Sequence, residues 1–251
     1  MEEQLKDKVA RGVAWSMAEK IGSMLLMTVV RLLILNRLDP QIFGHFAIPS
    51  AVVAVAMVVA DSGFSQNLIR RKDPAGSDYK AVFVFNMAVS TLLYLLLAAL
   101  APFAARYYAM PDIARIAPVF LLLLPVSSLC SVQNAIFTRQ FRFALLSKVN
   151  FLSSFASGLI AVVLATLGCG IWSLVAERLL AMGVRAVMLW RYSNWRPTGR
   201  FTAAPLREMA PFSMSLMATD LISTLYSKIP QFFFGMLYTA SALGAFEQAV
   251  K

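Results

Sequence analysis

Four stretches of the chain, residues 40–60, 81–105, 116–138 and 149–176, contain no Asp, Glu, Lys or Arg. Each exceeds the ~20 residues that a helix rising 1.5 Å per residue needs to cross a ~30 Å hydrocarbon layer. With the remaining apolar runs, the pattern predicts helices over 13–35, 45–67, 80–104, 114–137, 149–167, 171–191 and 208–238, and an eighth beginning near 241. The expected fold class is all-α, a polytopic transmembrane helical bundle.

The polar segments between these helices set an orientation. Lys6, Lys8 and Arg11 precede the first helix. Arg70, Arg71, Lys72 and Lys80 follow the second, Arg139, Arg142 and Lys148 the fourth, and Arg191, Arg196, Arg200 and Arg207 the sixth. The alternate loops hold only Arg37, Arg106 and Arg115, so the count is fourteen against three. Cytoplasmic loops carry the excess of Lys and Arg, which predicts that the amino terminus and every even loop face the cytoplasm.

Composition sharpens this picture. Of 251 residues, 59% are hydrophobic and 14% charged, which excludes a disordered chain and an ordinary soluble enzyme. The net charge of +10 would suit nucleic acid, but the basic residues sit between apolar segments in topological alternation, so no nucleic-acid partner is expected. Cys130 and Cys169 lack CxxC spacing, His45 is the lone histidine and reads as a polar cap at a helix start, and no glycine-rich phosphate loop occurs. No metal or cofactor is expected. The segment MEEQLKDKVARG reads as a retained leader.

Trp15, Tyr107, Tyr108, Trp172, Trp190, Tyr192 and Trp195 fall near predicted helix ends and read as interfacial anchors. Pro49, Pro118, Pro125, Pro211 and Pro230 predict bent helices around a cavity. One internal repeat appears at an offset of 200: LDPQIFGHF ending at Phe46 aligns with YTASALGAF ending at Phe246, pairing Gly44 with Gly244. Six helices separate the copies, an even number, so the repeat should be parallel and related by an axis along the membrane normal.

Charges within spans cost at least about 2.5–3.5 kcal/mol at the bilayer centre and are candidates for a transport path. Glu19 and Lys20 lie two turns into the first helix, and Lys20 can snorkel. Arg31 and Glu177 are expected at similar depth, where pairing would leave Arg178 facing a cavity. Asp61 could accept from Ser62, Ser65 or Lys20 to tie the first two helices. Asp220 and Lys228 share one face of an unusually polar seventh helix, where at least one should face a cavity. Arg185 can snorkel or join a cationic vestibule. A cavity with Arg31, Arg178, Arg185 and Lys228 would suit an anionic, phosphate-bearing substrate, since a guanidinium holds phosphate bidentately.

The patches LKDKVARGVAWS, RLLILNRLDPQIFGHFAI, DSGFSQNLIRRKD and GIWSLVAERLL resemble the polysaccharide-exporting flippases of bacterial inner membranes. The resemblance is to the colanic-acid and O-antigen exporter branch of the multidrug/oligosaccharidyl-lipid/polysaccharide superfamily, and covers nearly the whole chain. It implies one six-helix lobe of a MATE/MOP-like flippase plus the start of a second. The corresponding domains are a leader at 1–12, a lobe at 13–191, an inter-lobe loop at 192–207, and the seventh helix with a cut eighth at 208–251.

The implied activity is flipping of an undecaprenyl-pyrophosphate-linked oligosaccharide by alternating access, with surface polysaccharide or lipopolysaccharide as the end product. Implied partners are the anionic lipid-linked oligosaccharide, membrane lipids and polysaccharide polymerase machinery. The family pattern supports Arg31 and Asp61, and Asp220 matches a polar stretch of its seventh helix. SKIPQFFFG departs from the family's Asn- and Asp-rich version around Lys228. A cation-coupled drug exporter would instead show a carboxylate-dominated cavity, and an inactive amino-terminal fragment would transport nothing. An intramembrane glycan enzyme would need a large external loop, which is absent between the predicted helices.

Overall fold

The computed structural model describes residues 2–198 and 201–250, of which 2–16, 18, 19 and 250 are described by backbone alone. Lys6, Lys8, Arg11, Trp15, Glu19 and Arg200 therefore lie outside the described side chains. The elements are α1 (Glu2–Leu35), α2 (Pro40–Asp61), a short α3 (Phe64–Arg70), α4 (Gly76–Tyr107), α5 (Asp112–Phe120), α6 (Leu123–Arg139), α7 (Phe143–Thr166), α8 (Ile171–Tyr192), α9 (Ala204–Leu237) and α10 (Ala240–Val250). The fold is all-α, with no strand among the described residues. Four segments are long and apolar enough to cross a membrane: α2, α4, α5 with α6, and α7. The more polar helices α1, α8 and α9 carry the charges singled out above, except Asp61, which ends α2.

Two predicted helices are each divided in the structure. The span expected at 45–67 ends at Asp61, because Ser62 (φ 48°) and Gly63 (φ 70°) take left-handed conformations before α3. A Cβ on Gly63 would come within 2.4 Å of the Ser213 carbonyl oxygen, so glycine lets this turn press against α9. The span expected at 114–137 breaks at Leu121–Leu122. Pro125 has no N–H to give the Leu121 carbonyl, which accepts from Leu124 N at 2.9 Å instead. The start of α2 is also not where His45 was expected to cap it. Asp39 is the cap, accepting from Gln41 N at 2.9 Å, whereas His45 Nδ1 lies 2.8 Å from Asp112 Oδ2 and joins α2 to α5.

The outer surface is far more apolar than that of a water-soluble protein, and polar side chains are found among the buried ones. Met24, Leu92 and Ile222 are among the large apolar side chains exposed on α1, α4 and α9, while Asn86, Ser90, Gln133, Ser157 and Ser213 are fully buried. Lipid-facing apolar side chains lose nothing by exposure, whereas polar groups need partners inside. Helices approach closely at small residues: a Cβ on Gly158 of α7 would sit 2.9 Å from Val30 Cγ2 on α1. Trp190 and Trp195 depart from the anchoring expectation. They pack around Phe83, and Trp190 Nε1 donates to the Leu129 carbonyl oxygen at 2.8 Å, an inward hydrogen bond. Trp172, Tyr107 and Tyr192 are exposed.

Arg139, at the end of α6, closes the C-terminal end of α3. Nη1 donates to the carbonyls of Leu68 at 3.1 Å, Ile69 at 3.0 Å and Arg71, and Nη2 donates to Lys72 O at 3.1 Å. Terminal carbonyls lack intrahelical partners and attract cations, so one planar fork satisfies the end of a helix too short to hold itself. Arg139→Ala is expected to destabilise the protein by about 1.5–3 kcal/mol, the scale of hydrogen bonds to a charged group. A lowered thermal unfolding midpoint in detergent checks this, and Arg139→Lys should restore little, because an ammonium lacks the planar fork.

The repeat at offset 200 meets itself across the bundle. A Cβ on Gly44 would fall 1.9 Å from the Ala240 carbonyl oxygen, and a Cβ on Gly244 would fall 1.9 Å from that of Pro40. Exchanging the two copies converts one contact into the other, the signature of a two-fold relation between α2 and α10. The caps correspond as well, with Thr239 Oγ1 accepting from Ala242 N at 3.4 Å where Asp39 serves α2.

Candidate functional site: a file of three cavities

Three cavities follow one another along the facing sides of α2 and α8. The first, about 260 Å³, is bounded by Val30, Arg31, Phe43, Phe46, Glu177 and Arg178. The middle one, about 480 Å³, shares Phe46 and Arg178 with the first and reaches to Met57, Met182 and Arg185. The third, about 270 Å³, takes over at those same three residues and ends beside Asp61, Ser65 and Gln66. Arg178 and Arg185 thus stand at the two junctions. Seven residues apart, they lie on one side of α8, two turns or roughly 10 Å along its axis.

In the first cavity Arg31, Glu177 and Arg178 come together, and Arg31 Nη2 reaches across to donate to the Glu247 main-chain oxygen of α10 at 2.8 Å. This links the first helix to the second copy of the repeat. The middle cavity gathers three cationic side chains, Arg178, Arg185 and Lys228, with no carboxylate among its described lining residues. Hydroxyls of Ser23, Ser50, Ser153 and Ser154 and the amide of Asn150 complete the polar surface. Donors of this kind around a cluster of positive charge hold phosphate or another polyanion.

The third cavity is organised by Asp61. Ser65 Oγ and Asn86 Nδ2 both donate to Asp61 Oδ1, the latter at 3.2 Å, and Asn86 also reaches Ser65 Oγ at 3.3 Å and Ser131 Oγ at 3.4 Å. Asp61 therefore ties α2 to α3 and α4, and Ser62 turns instead to the Val59 carbonyl. Arg185 Nη2 donates to Asn134 Oδ1 at 3.1 Å on the opposite wall.

Asp220 and Lys228 have separate placements. Lys228 lines the middle cavity, whereas Asp220 Oδ2 accepts from Gln66 Nε2 at 2.9 Å in a joint between α3 and α9. That joint continues through Asn67 Nδ2 to Ser213 Oγ at 3.0 Å, Arg70 over the Phe212 ring and Arg71 Nη2 to Glu208 Oε2 at 2.9 Å. The Glu208 hydrogen bond raises the Arg71 pKa above its already high normal value, so this end of the joint stays cationic. The segment DSGFSQNLIRRKD is accordingly a strap in which neighbouring side chains grip the cavity wall at Asp61 and the α9 face at Asp220.

Neutral polar residues escaped the sequence reading. Asn86, Asn134, Asn150 and Ser131 all shape the cavities, yet in sequence they stand singly in apolar helices, without the cost signal that charge carries. An i, i+3, i+4 reading of 127, 128, 131 and 134 on α6 would have exposed one polar stripe.

The family described as polysaccharide biosynthesis protein matches residues 31–251, which includes all three cavities from Arg31 onward and both copies of the repeat. The chain belongs to that family. Among its curated relatives, the succinoglycan biosynthesis transport protein ExoT of Rhizobium meliloti (strain 1021) is 26% identical over 241 residues, covering 96% of this chain and 49% of its own length. An uncharacterized membrane protein in the cps region of Klebsiella pneumoniae is 19% identical over 232 residues, covering 90% of this chain and 47% of its own. The chain spans about half the length of the curated relatives it matches. No solved structure matches it. Family membership agrees with an apolar-surfaced helical bundle, and the chain is a membrane protein.

Proposed function

We propose that the chain forms the amino-terminal lobe, and the beginning of the second lobe, of an exporter that flips a polyprenyl-pyrophosphate-linked oligosaccharide across a bacterial inner membrane for surface polysaccharide synthesis. The observation carrying this reading is the middle cavity, whose described lining holds Arg178, Arg185 and Lys228 and no carboxylate. A pyrophosphate needs such a cluster, while the apolar outer surface leaves a polyprenyl tail in lipid. A cation-coupled drug exporter would require the opposite charge at this position. The similarity to a succinoglycan transport protein supports the same substrate class.

In this reading α3 and the Arg139 collar lie at the cytoplasmic end, with the α2–α10 crossing at the outer end, following the fourteen-to-three distribution of basic residues. The function is tested by expressing the full-length polypeptide in cells whose own lipid-linked-saccharide exporter has been deleted. Restored surface polysaccharide is the expected result. Absence of polysaccharide together with a gain in drug resistance would overturn the proposal.

A further inference from the structure

The cavity beside Asp61 differs chemically from the cationic one next to it, although the two are continuous. Its polar lining, apart from Arg185, is one carboxylate (Asp61), two amides (Gln66 and Asn134) and four serine hydroxyls, those of Ser65, Ser127, Ser128 and Ser131. Arg185 stands at the junction. A pyrophosphate presents only acceptors, so a wall containing Asp61 opposes it. A sugar hydroxyl donates and accepts at once, and is satisfied by carboxylate, amide and hydroxyl groups arranged together.

Unspent hydrogen-bonding capacity lies on both sides of this space. Asp61 commits Oδ1 to Ser65 and Asn86, while Oδ2 takes no hydrogen bond among the described residues. Opposite, Arg185 commits Nη2 to Asn134, and its guanidinium makes no other hydrogen bond among the described residues. A guanidinium carries five N–H donors, so those of Arg185 not spent on Asn134 remain for a ligand at the junction that supplies acceptors. Met57, Met182 and Ile69 give the same cavity an apolar wall suited to the C–H face of a pyranose ring.

We infer that this cavity is a glycosyl subsite. It takes the sugar joined to the pyrophosphate, with Asp61 accepting from ring hydroxyls and Arg185 bridging the sugar and the phosphate held in the middle cavity. The inference rests on the exporter reading above and adds a polarity to the substrate: phosphate between Arg178 and Arg185, saccharide towards α3.

The test is equilibrium binding of two probes, polyprenyl pyrophosphate and the same lipid carrying one hexose, to the full-length protein in lipid nanodiscs. Ser127→Leu, which fills the inner cavity, should weaken binding of the hexosyl lipid about tenfold and leave the bare lipid unchanged. Asp61→Asn, checked for an unaltered unfolding midpoint, should show the same selectivity. Arg178→Gln should weaken both probes. Equal losses for both lipids in Ser127→Leu and Asp61→Asn, or no loss in either, would overturn the subsite. Failure of the unaltered protein to bind either lipid would overturn the exporter reading itself, a distinct outcome.

Discussion

Gly44→Val is expected to remove surface-polysaccharide export from cells that depend on this protein, and Gly244→Val to do the same. At both positions the first side-chain atom would lie 1.9 Å from a carbonyl oxygen of the opposing helix, so backbone rather than a movable side chain must give way. Overpacking of this kind costs about 1–3 kcal/mol, and separation of α2 from α10 is the direct relief. At 1.4 kcal/mol per decade, that is an about 5- to 150-fold shift between joined and separated arrangements. Alanine at either site should give a weaker form of the same defect. Gly76→Ala and Gly183→Ala serve as controls and should export normally, because a Cβ at either position meets nothing within 4 Å. Quantified surface polysaccharide, normalised to membrane-inserted protein, checks all of these. Normal export by Gly44→Val would show that the two helices need not meet closely.

Removing charge from the middle cavity should be comparably severe. Arg178→Gln and Lys228→Met each withdraw one of three cations lining a single chamber. With hydrogen bonds to a charged group worth about 1.5–3 kcal/mol, each substitution should lower export about 10- to 150-fold. Arg178→Lys should retain part of the activity, since it keeps the charge while losing the planar fork. Asp220→Asn separates cavity chemistry from the α3–α9 joint. It leaves an acceptor for Gln66 and should cost far less than loss of Lys228, although both lie on the same helix. The same polysaccharide assay reads these variants.

The apolar runs made the helical bundle legible because lipid imposes a length and a polarity on each crossing. The boundaries were less legible for local reasons. Asp39 starts α2 five residues before the expected position, and the Ser62–Gly63 turn ends it six residues early. Neither event alters the hydrophobic pattern. Pro118 and Pro125 were visible as punctuation, but only the arrangement of neighbouring carbonyls shows that Pro125 marks the division of one span into α5 and α6, while Pro118 lies within α5.

The charged candidates stood out in sequence because each is costly in lipid, and six of the seven line the file of cavities. The seventh, Asp220, shows what cost alone does not reveal: a half-buried charge within a predicted span can serve a joint between helices. Asn86, fully buried and hydrogen-bonded to three cavity groups, carried no comparable signal. The repeat was legible from its offset of 200, whereas its physical reason, two helix starts that touch only because both carry glycine, required three dimensions.

The most direct test of the central claim is translocation itself. The purified full-length protein should be reconstituted into liposomes holding a fluorescent polyprenyl-pyrophosphate-linked oligosaccharide, and the fraction reached by a membrane-impermeant quencher followed over time. The account predicts protein-dependent movement of the labelled lipid between leaflets, lost in Arg178→Gln and in Gly44→Val. Movement no faster than in protein-free liposomes, or movement unaffected by both substitutions, would contradict it.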